Sequence, residues 1–173
     1  MARSKYSKAW LQRHVSDRFV QKAKQQGLRS RAAFKLQQID ASERLFRPGG
    51  RVIDLDAAPG GWAQYAAQRV GATGVVVAID LLQLAPISGV TLVRGDFRDP
   101  SVRDGIRAAL AGLLADVVLC DMAPNISGVR NVDQANAAAL TRLAIEFCRA
   151  ALQPEGVFLV KVFHGEAFDE VLA

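Results

Sequence analysis

Short apolar runs alternate with longer stretches of helical spacing along most of this chain. The runs are rich in Val, Ile and Leu without polar alternation, which is typical of parallel strands that helices cover on both faces. We predict strands over residues 51–55, 75–79, 90–94, 116–120 and 157–162. We predict helices over residues 10–24, 30–43, 62–70, 101–114 and 134–152. The sequence therefore predicts an α/β fold with a doubly wound, mostly parallel sheet.

Turn and cap residues divide the N-terminal part of the chain. Gly27 is expected to end the first helix, and Ser30 is expected to cap the second. We distinguish a basic helical extension, residues 1–40, from a body, residues 41–173, and expect both to form one structural domain. In a doubly wound sheet, ligands bind beyond the carboxyl ends of the strands.

The end of the chain predicts an incomplete sheet. Residues 166–173 resemble the start of a helix, and a sheet that ended at residues 157–162 would leave one edge thinly covered. We therefore expect further C-terminal strands to lie beyond Ala173, so that the chain is truncated relative to a complete fold.

Composition favours a globular protein. The chain has 173 residues, half of them hydrophobic, which suits one domain with a sizeable core. No apolar run reaches the length of a membrane span, and the first residues lack the apolar stretch of a secretory signal. Cys120 and Cys148 are expected to be buried, reduced thiols. We expect a cytoplasmic monomer without membrane contact.

Positive charge is concentrated at the N-terminus. Up to Ile39 there are ten Lys or Arg residues against one acid, a net charge of +9, and the rest of the chain carries −4. A basic segment on a mildly acidic body favours a polyanion held at one face, although a solvated lysine-rich helix would have the same composition. The residues expected to contact the phosphates of a nucleic acid include Arg13, Arg18, Lys22, Lys24, Arg29 and Arg31.

The segment from Asp54 to Trp62 follows the first strand and opens a helix. Gly60 and Gly61 let the backbone approach a ligand closely, and the helix N-terminus offers free N–H groups. The segment has neither the G-x-G-x-x-G of dinucleotide folds nor the Gly-Lys-Ser/Thr ending of a phosphate loop. It therefore predicts a nucleotide-like ligand bound without phosphate-cradling chemistry.

Three carboxylates, Asp54, Asp80 and Asp96, end or follow three successive strands. Asp80 is placed to hold the ribose hydroxyls of an adenosine. Asp96 could accept from the adenine amino group, with Phe97 packed nearby. Each feature alone is also explained by a turn or a helix cap, but three together favour cofactor binding.

Several motifs resemble the FtsJ/RrmJ family of ribosomal RNA 2′-O-ribose methyltransferases. They are residues 54–64, Asp-Met-Ala-Pro-Asn at 121–125 with Asp133, Lys-Val-Phe at 161–163, and Ser-Arg-Ala-Ala-Phe-Lys-Leu at 30–36. The resemblance runs from about residue 9 to the end of the chain. It implies a Rossmann-like methyltransferase fold and S-adenosylmethionine as cofactor. The implied cofactor contacts are Gly60, Trp62, Asp80, Asp96 and Asp121.

Asp56 departs from the family pattern, which has glycine at this position. A side chain there adds bulk and negative charge near a ligand that carries its own carboxylate. We therefore predict that Asp56 lowers the affinity for S-adenosylmethionine. The alternative is that its side chain turns into solvent and has little effect.

Lys161 is the candidate general base. It is the sole charge in the apolar run 158–163, a costly place for a cation without a purpose, although a lysine at a strand end can also extend its ammonium into solvent. The family's Lys-Asp-Lys-Glu tetrad maps onto Lys35, Asp121 and Lys161, and its glutamate would lie beyond Ala173. The resemblance implies that Asp121 orients Lys161 and that Lys35 positions the hydroxyl or a phosphate. No metal site is predicted.

The resemblance implies a uridine ribose in the A loop of large-subunit ribosomal RNA as the target, methylated on the assembled large ribosomal subunit. Two alternatives stay open. One is a transfer RNA or mitochondrial ribosomal RNA 2′-O-methyltransferase of the same superfamily. The other is a catalytically impaired RNA-binding or ribosome-assembly factor, which Asp56 and the missing C-terminus favour. A small-molecule methyltransferase would not explain the basic N-terminal segment.

Overall fold

The computed structural model describes residues 17–122 and 127–162, and its centre is a five-stranded parallel sheet. The strand order is β3-β2-β1-β4-β5, with β1 paired to both β2 and β4. The strands are β1 Arg51–Leu55, β2 Val75–Asp80, β3 Val90–Arg94, β4 Ala115–Cys120 and β5 Leu152–Val160. The predicted doubly wound parallel sheet is confirmed, and its chain reversal lies between β1 and β4.

Five helices flank the sheet in the described part of the chain. They are α1 Arg18–Gln25, α2 Ala32–Glu43, α3 Gly61–Val70, α4 Pro100–Ala109 and α5 Arg130–Ala151. None of them is long and apolar enough to cross a membrane. Each predicted helix has a counterpart, but several ends differ from the prediction.

Within the described residues, the first two helices begin later than predicted. Asp17 has extended backbone and accepts from the Phe19 N–H, so it caps a helix that begins at Arg18. The residues of the predicted helix before Asp17 lie outside the described part of the chain. Gly27 follows α1 with a φ of 67°, as expected. Ser30 does not cap α2, because Arg31 occupies the N-cap position and makes no capping side-chain hydrogen bond.

Boundaries of α4, α5 and β5 also differ from the prediction, and α5 begins at Arg130, four residues before the predicted start. Helix α4 ends at Ala109, because Ala111 and Gly112 both adopt positive φ and turn the chain toward β4. Strand β5 begins at Leu152, since Leu152 pairs with Ala115 ahead of a register shift. Lys161 follows β5, and its N–H donates to the Cys120 carbonyl at the end of β4.

Alternate residues of each central strand face two separate cores. On one face, Val52, Val76 and Val117 pack with Leu36 of α2 and with the apolar side of α3. On the other face, Ile53, Val77 and Val118 pack with α4 and α5. Cys120 and Cys148 are both buried free thiols in this second core, as predicted. Helices therefore cover both faces, and the carboxyl ends of the strands are left for ligands.

Candidate active site

Asp54 lies inside the protein at the carboxyl end of β1. It is 1% exposed, and burial raises its pKa although the backbone N–H of Ala63, in the first turn of α3, opposes that shift. Its Oδ2 oxygen has no hydrogen-bond partner among the described residues. A buried carboxylate oxygen without a partner is costly, and such atoms are frequent where a ligand group binds.

The carboxylate of Asp80 stabilises the loop that follows β1 through hydrogen bonds. Its Oδ2 accepts from the Ala58 N–H at 2.7 Å, and its Oδ1 accepts from the Leu82 N–H at 2.7 Å. These bonds join the loop after β1 to the turn after β2. The predicted contact with ribose hydroxyls stays a prediction, and it would use the remaining lone pairs of this carboxylate.

Two cavities meet at Asp56. The larger, of about 630 Å³, lies between the N-terminal helices, the loop after β1 and Asp121. The smaller, of about 300 Å³, is lined by residues that follow β2 and β3, and by Met122 and Leu140. Asp56 lines both and has a φ of 60°, a left-handed conformation that glycine adopts without strain. A ligand that occupied both cavities would have to pass the Asp56 side chain.

The smaller cavity contains two of the residues predicted to bind adenine. Asp96 lines it and is bound by the Arg98 guanidinium, whose Nε lies 2.8 Å from each carboxylate oxygen. The hydrogen bonds from Arg98 lower the pKa of Asp96, which keeps it ionised as an acceptor. Phe97 is buried and packs edge-on against Phe147 of α5.

Asp121 and Lys161 come together beyond the ends of β4 and β5. Lys161 Nζ forms an ion pair with Asp121 Oδ1 and also donates to the Asp121 carbonyl at 2.8 Å. Lys35 is exposed on α2 and is not among the residues that line the larger cavity, whereas Asp121 is. The structure therefore joins two of the three predicted catalytic residues, and the role of Lys35 stays a prediction.

Negative charge is concentrated around Asp54 and Asp56. Burial, and then the charges of Asp121, Asp56 and Asp80, raise the pKa of Asp54 well above its usual range. Asp56 is an exposed residue, but its carboxylate is partly desolvated. This desolvation and the charges of Asp80 and Asp121 raise the pKa of Asp56, whereas the charge of Lys161 lowers it. A cluster of this kind suits a ligand that brings positive charge.

We expect Asp54→Asn to flatten the dependence of stability on pH. The pKa of Asp54 is raised by folding, so its contribution is fully present below the unfolded pKa of about 3.9 and is lost as pH rises through the folded pKa. The free energy of unfolding, measured with urea from about pH 5 to about pH 8, should therefore fall less steeply in Asp54→Asn than in the wild type. The control is Asp104→Asn, an exposed carboxylate of α4. Parallel curves for the wild type and Asp54→Asn would contradict the assignment.

The glycines and tryptophan of the loop contact the N-terminal extension. A Cβ on Gly60 would come within 2.5 Å of Ile87 Cδ1 and 3.2 Å of Arg29 Cδ, and a Cβ on Gly61 would overlap Ser30 Oγ. Trp62 is buried, and its indole N–H donates to the Ala32 carbonyl at 2.9 Å. The cofactor contacts of Gly60, Gly61 and Trp62 stay predictions. The sequence did not indicate that these residues also pack against the N-terminal extension.

The basic residues of the extension differ in their surroundings. Lys24, Arg29 and Arg31 line the larger cavity, and Arg31 forms an ion pair with Asp17. Arg18 lies 5.2 Å from the Phe19 ring centroid, and Lys22 lies 5.3 Å from that of Phe34. Arg13 lies outside the described residues. The extension therefore brings positive charge to one edge of the larger cavity.

S-adenosylmethionine fits the residues that are present. The cofactor carries a sulfonium and an ammonium, and the unpartnered Oδ2 of Asp54 offers an acceptor on the wall of the larger cavity. In the smaller cavity, Asp80, Asp96 and Phe97 offer two carboxylates and an apolar ring for an adenosine. Asp56 is the one described feature at the meeting of the cavities that opposes this fit.

Comparisons with known proteins agree with this geometry. The family model described as FtsJ-like methyltransferase matches residues 28–173. A protein of Nitrosospira multiformis named ribosomal RNA large subunit methyltransferase E is 52% identical over 170 residues, which are 98% of this chain and 82% of the relative. A protein of the same name from Methylobacillus flagellatus is 50% identical over 172 residues, 99% of this chain and 83% of the relative. The crystal structure of a Plasmodium falciparum ribosomal RNA methyltransferase is 24% identical with a TM-score of 0.76, covers 83% of this chain and 82% of that one, and supports the fold alone.

Proposed function

The chain belongs to the FtsJ-like methyltransferase family, and from this premise we propose that it methylates the 2′-hydroxyl of a uridine ribose in large-subunit ribosomal RNA. The methyl donor in this proposal is S-adenosylmethionine, and the substrate is the assembled large ribosomal subunit. The names of relatives at about half identity support the RNA class. The concentration of carboxylates next to a basic extension supports a cationic donor and a polyanionic acceptor.

The observation that carries the proposal is the Asp121–Lys161 pair at the carboxyl ends of β4 and β5. Two hydrogen bonds fix Lys161 Nζ against Asp121, at the edge of the sheet where a parallel fold collects its chemistry. As a neutral amine, lysine has a lone pair that can accept the proton of a ribose hydroxyl. The pair therefore has the composition needed to orient a hydroxyl and take its proton.

In the proposed reaction, S-adenosylmethionine supplies an electrophilic methyl group on sulfur. Lys161 Nζ would take the hydroxyl proton as the ribose oxygen receives the methyl group. Lys161 must be neutral to accept that proton, and Asp121 holds it in place. Asp54 would bind the cationic end of the donor, and Asp96 with Phe97 would bind its adenine.

The test is transfer of a labelled methyl group from S-adenosylmethionine to unmodified substrates. Undermethylated large subunits, protein-free large-subunit RNA and transfer RNA are offered at equal concentration. We expect label in the large subunits and little in the other two. Label in transfer RNA would favour the alternative methyltransferase. Tight binding to subunits without transfer would favour the assembly factor, which is the reading that Asp56 supports.

We expect Lys24→Gln to weaken binding to large subunits and to reduce its dependence on salt. Lys24 lines the larger cavity within the basic extension, and each phosphate contact that is removed lowers the slope of log K against log salt by about one. Binding is measured by cosedimentation over a series of salt concentrations. The control is Arg107→Gln, an exposed arginine of α4 on the opposite face. Equal slopes for Lys24→Gln and the wild type would contradict the predicted phosphate contact.

A further inference from the structure

The turn between α1 and α2, residues 27–31, packs directly on the start of α3. Gly60 and Gly61 have no side chains, and the space above them is occupied by the side chains of Arg29, Ser30 and Ile87. Any larger residue at Gly61 would overlap Ser30 Oγ. The Gly-Gly pair therefore provides the contact surface for this turn.

Two side chains fasten the turn with hydrogen bonds. The Gln64 amide of α3 accepts from the Arg29 N–H at 3.0 Å and donates to the Gly27 carbonyl at 2.9 Å, so it binds both sides of the turn. The Arg29 guanidinium reaches the other way and donates to the carbonyls of Ala85, at 3.1 Å, and Pro86. The turn is thus tied to α3 and to the segment between β2 and β3.

Apolar burial contributes little to the position of α1. Ala23 is the buried residue of this helix, and Phe19 is about half exposed although it contacts the Phe34 ring. Burying one alanine stabilises a helix far less than burying a leucine or a phenylalanine. The polar contacts of the turn are consequently the main constraint on where the basic side chains of α1 lie.

We propose that Gln64 and Arg29 are positioning residues that seat this turn on the start of α3 and thereby hold the basic extension beside the larger cavity. The inference rests on the proposed function for the identity of the RNA. In this proposal the Arg29 guanidinium binds backbone carbonyls of the protein itself, whereas the sequence predicted that Arg29 contacts an RNA phosphate. The loop after β1 and the start of α3 line the larger cavity and also contact the turn. The same residues therefore support both the extension and the proposed site of the methyl donor.

The first test is Gln64→Leu, which keeps the size of the side chain and removes both hydrogen bonds. Gln68→Leu is the matched control, because Gln68 lies one turn further along α3 and is exposed. We expect amide hydrogen exchange in residues 18–31 to increase in Gln64→Leu and not in the control. We also expect kcat/KM for large subunits to fall about ten-fold while Kd for S-adenosylmethionine changes less than about two-fold.

The second test separates a positioning arginine from a phosphate contact. Arg29→Gln should weaken binding to large subunits yet leave the slope of log K against log salt unchanged, whereas Lys24→Gln should lower it by about one. A slope that falls equally in both variants would overturn the role proposed for Arg29.

A third test asks whether the contact between Gly61 and Ser30 itself helps to hold the turn on the start of α3. Gly61→Ala alone should increase exchange in residues 18–31, and adding Ser30→Gly should restore it, because the overlapping side chain is then absent. Unchanged exchange in both Gln64→Leu and Gly61→Ala would overturn the proposal. Hydrogen exchange needs no methyl transfer, so this failure is distinct from a failure of the proposed function.

Discussion

Lys161→Ala should lower the single-turnover rate of methyl transfer by about 10²–10⁴-fold, the usual contribution of a positioned general base. Lys161 is the residue that the structure fixes against Asp121 at the ends of β4 and β5, and alanine leaves no group to take the proton. The rate is measured with enzyme in excess over undermethylated large subunits. Kd for S-adenosylmethionine should change little, since the loss falls on the chemical step.

Lys161→Arg is the companion variant. Arginine keeps the positive charge and can still pair with Asp121, but it cannot be deprotonated in a protein and so cannot act as a base. We expect it to be as impaired as Lys161→Ala. A wild-type rate for Lys161→Ala would remove Lys161 from the mechanism, and recovery in Lys161→Arg would show that charge, and not proton transfer, is what the site requires.

Asp56→Gly should bind S-adenosylmethionine about ten- to a hundred-fold more tightly than the wild type. A ligand that spans the two cavities has to pass this side chain, and relieving overpacking of that kind is worth about 1–3 kcal/mol. Glycine also suits the φ of 60° at this position. Isothermal titration calorimetry at neutral pH gives the two dissociation constants.

Asp56→Asn separates bulk from charge at the same position. It keeps the size of the side chain and removes the carboxylate, whose pKa the charges of Asp80 and Asp121 raise and that of Lys161 lowers. We expect an affinity between those of the wild type and Asp56→Gly. Equal affinity in all three proteins would mean that Asp56 lies clear of the ligand, and weaker binding in Asp56→Gly would mean that the carboxylate helps to hold it.

The body of the fold follows closely from the hydrophobic pattern. Strands β1 and β3 have the predicted bounds, because both apolar runs end at turn residues. β1 is almost completely buried, whereas β3, at the edge of the sheet, is only partly buried. The end of α4 and the start of β5 could not be predicted in this way. They depend on positive φ at Ala111 and on pairing of Leu152 with Ala115, and both are set by tertiary contacts.

The site was only partly predictable, for a similar reason. Carboxylates that end parallel strands must share one edge of the sheet, so the gathering of Asp54, Asp80 and Asp121 could be expected. The contacts of Gln64 and Arg29 could not be predicted, since their partners lie 35 and 57 residues away in sequence. The sequence predicts ligand approach or a tight turn at the Gly-Gly pair, because packing of a distant turn has no local sequence signal.

The most direct test of the proposed reaction is the chemical position of the methyl group that this chain transfers. Large subunits labelled from S-adenosylmethionine are stripped of protein, and the RNA is hydrolysed with alkali, which needs a free 2′-hydroxyl to cleave the chain. We predict that the label is recovered in an alkali-resistant dinucleotide containing 2′-O-methyluridine. Label in ordinary mononucleotides carrying a methylated base, or no label from a protein that binds the subunits, would contradict it.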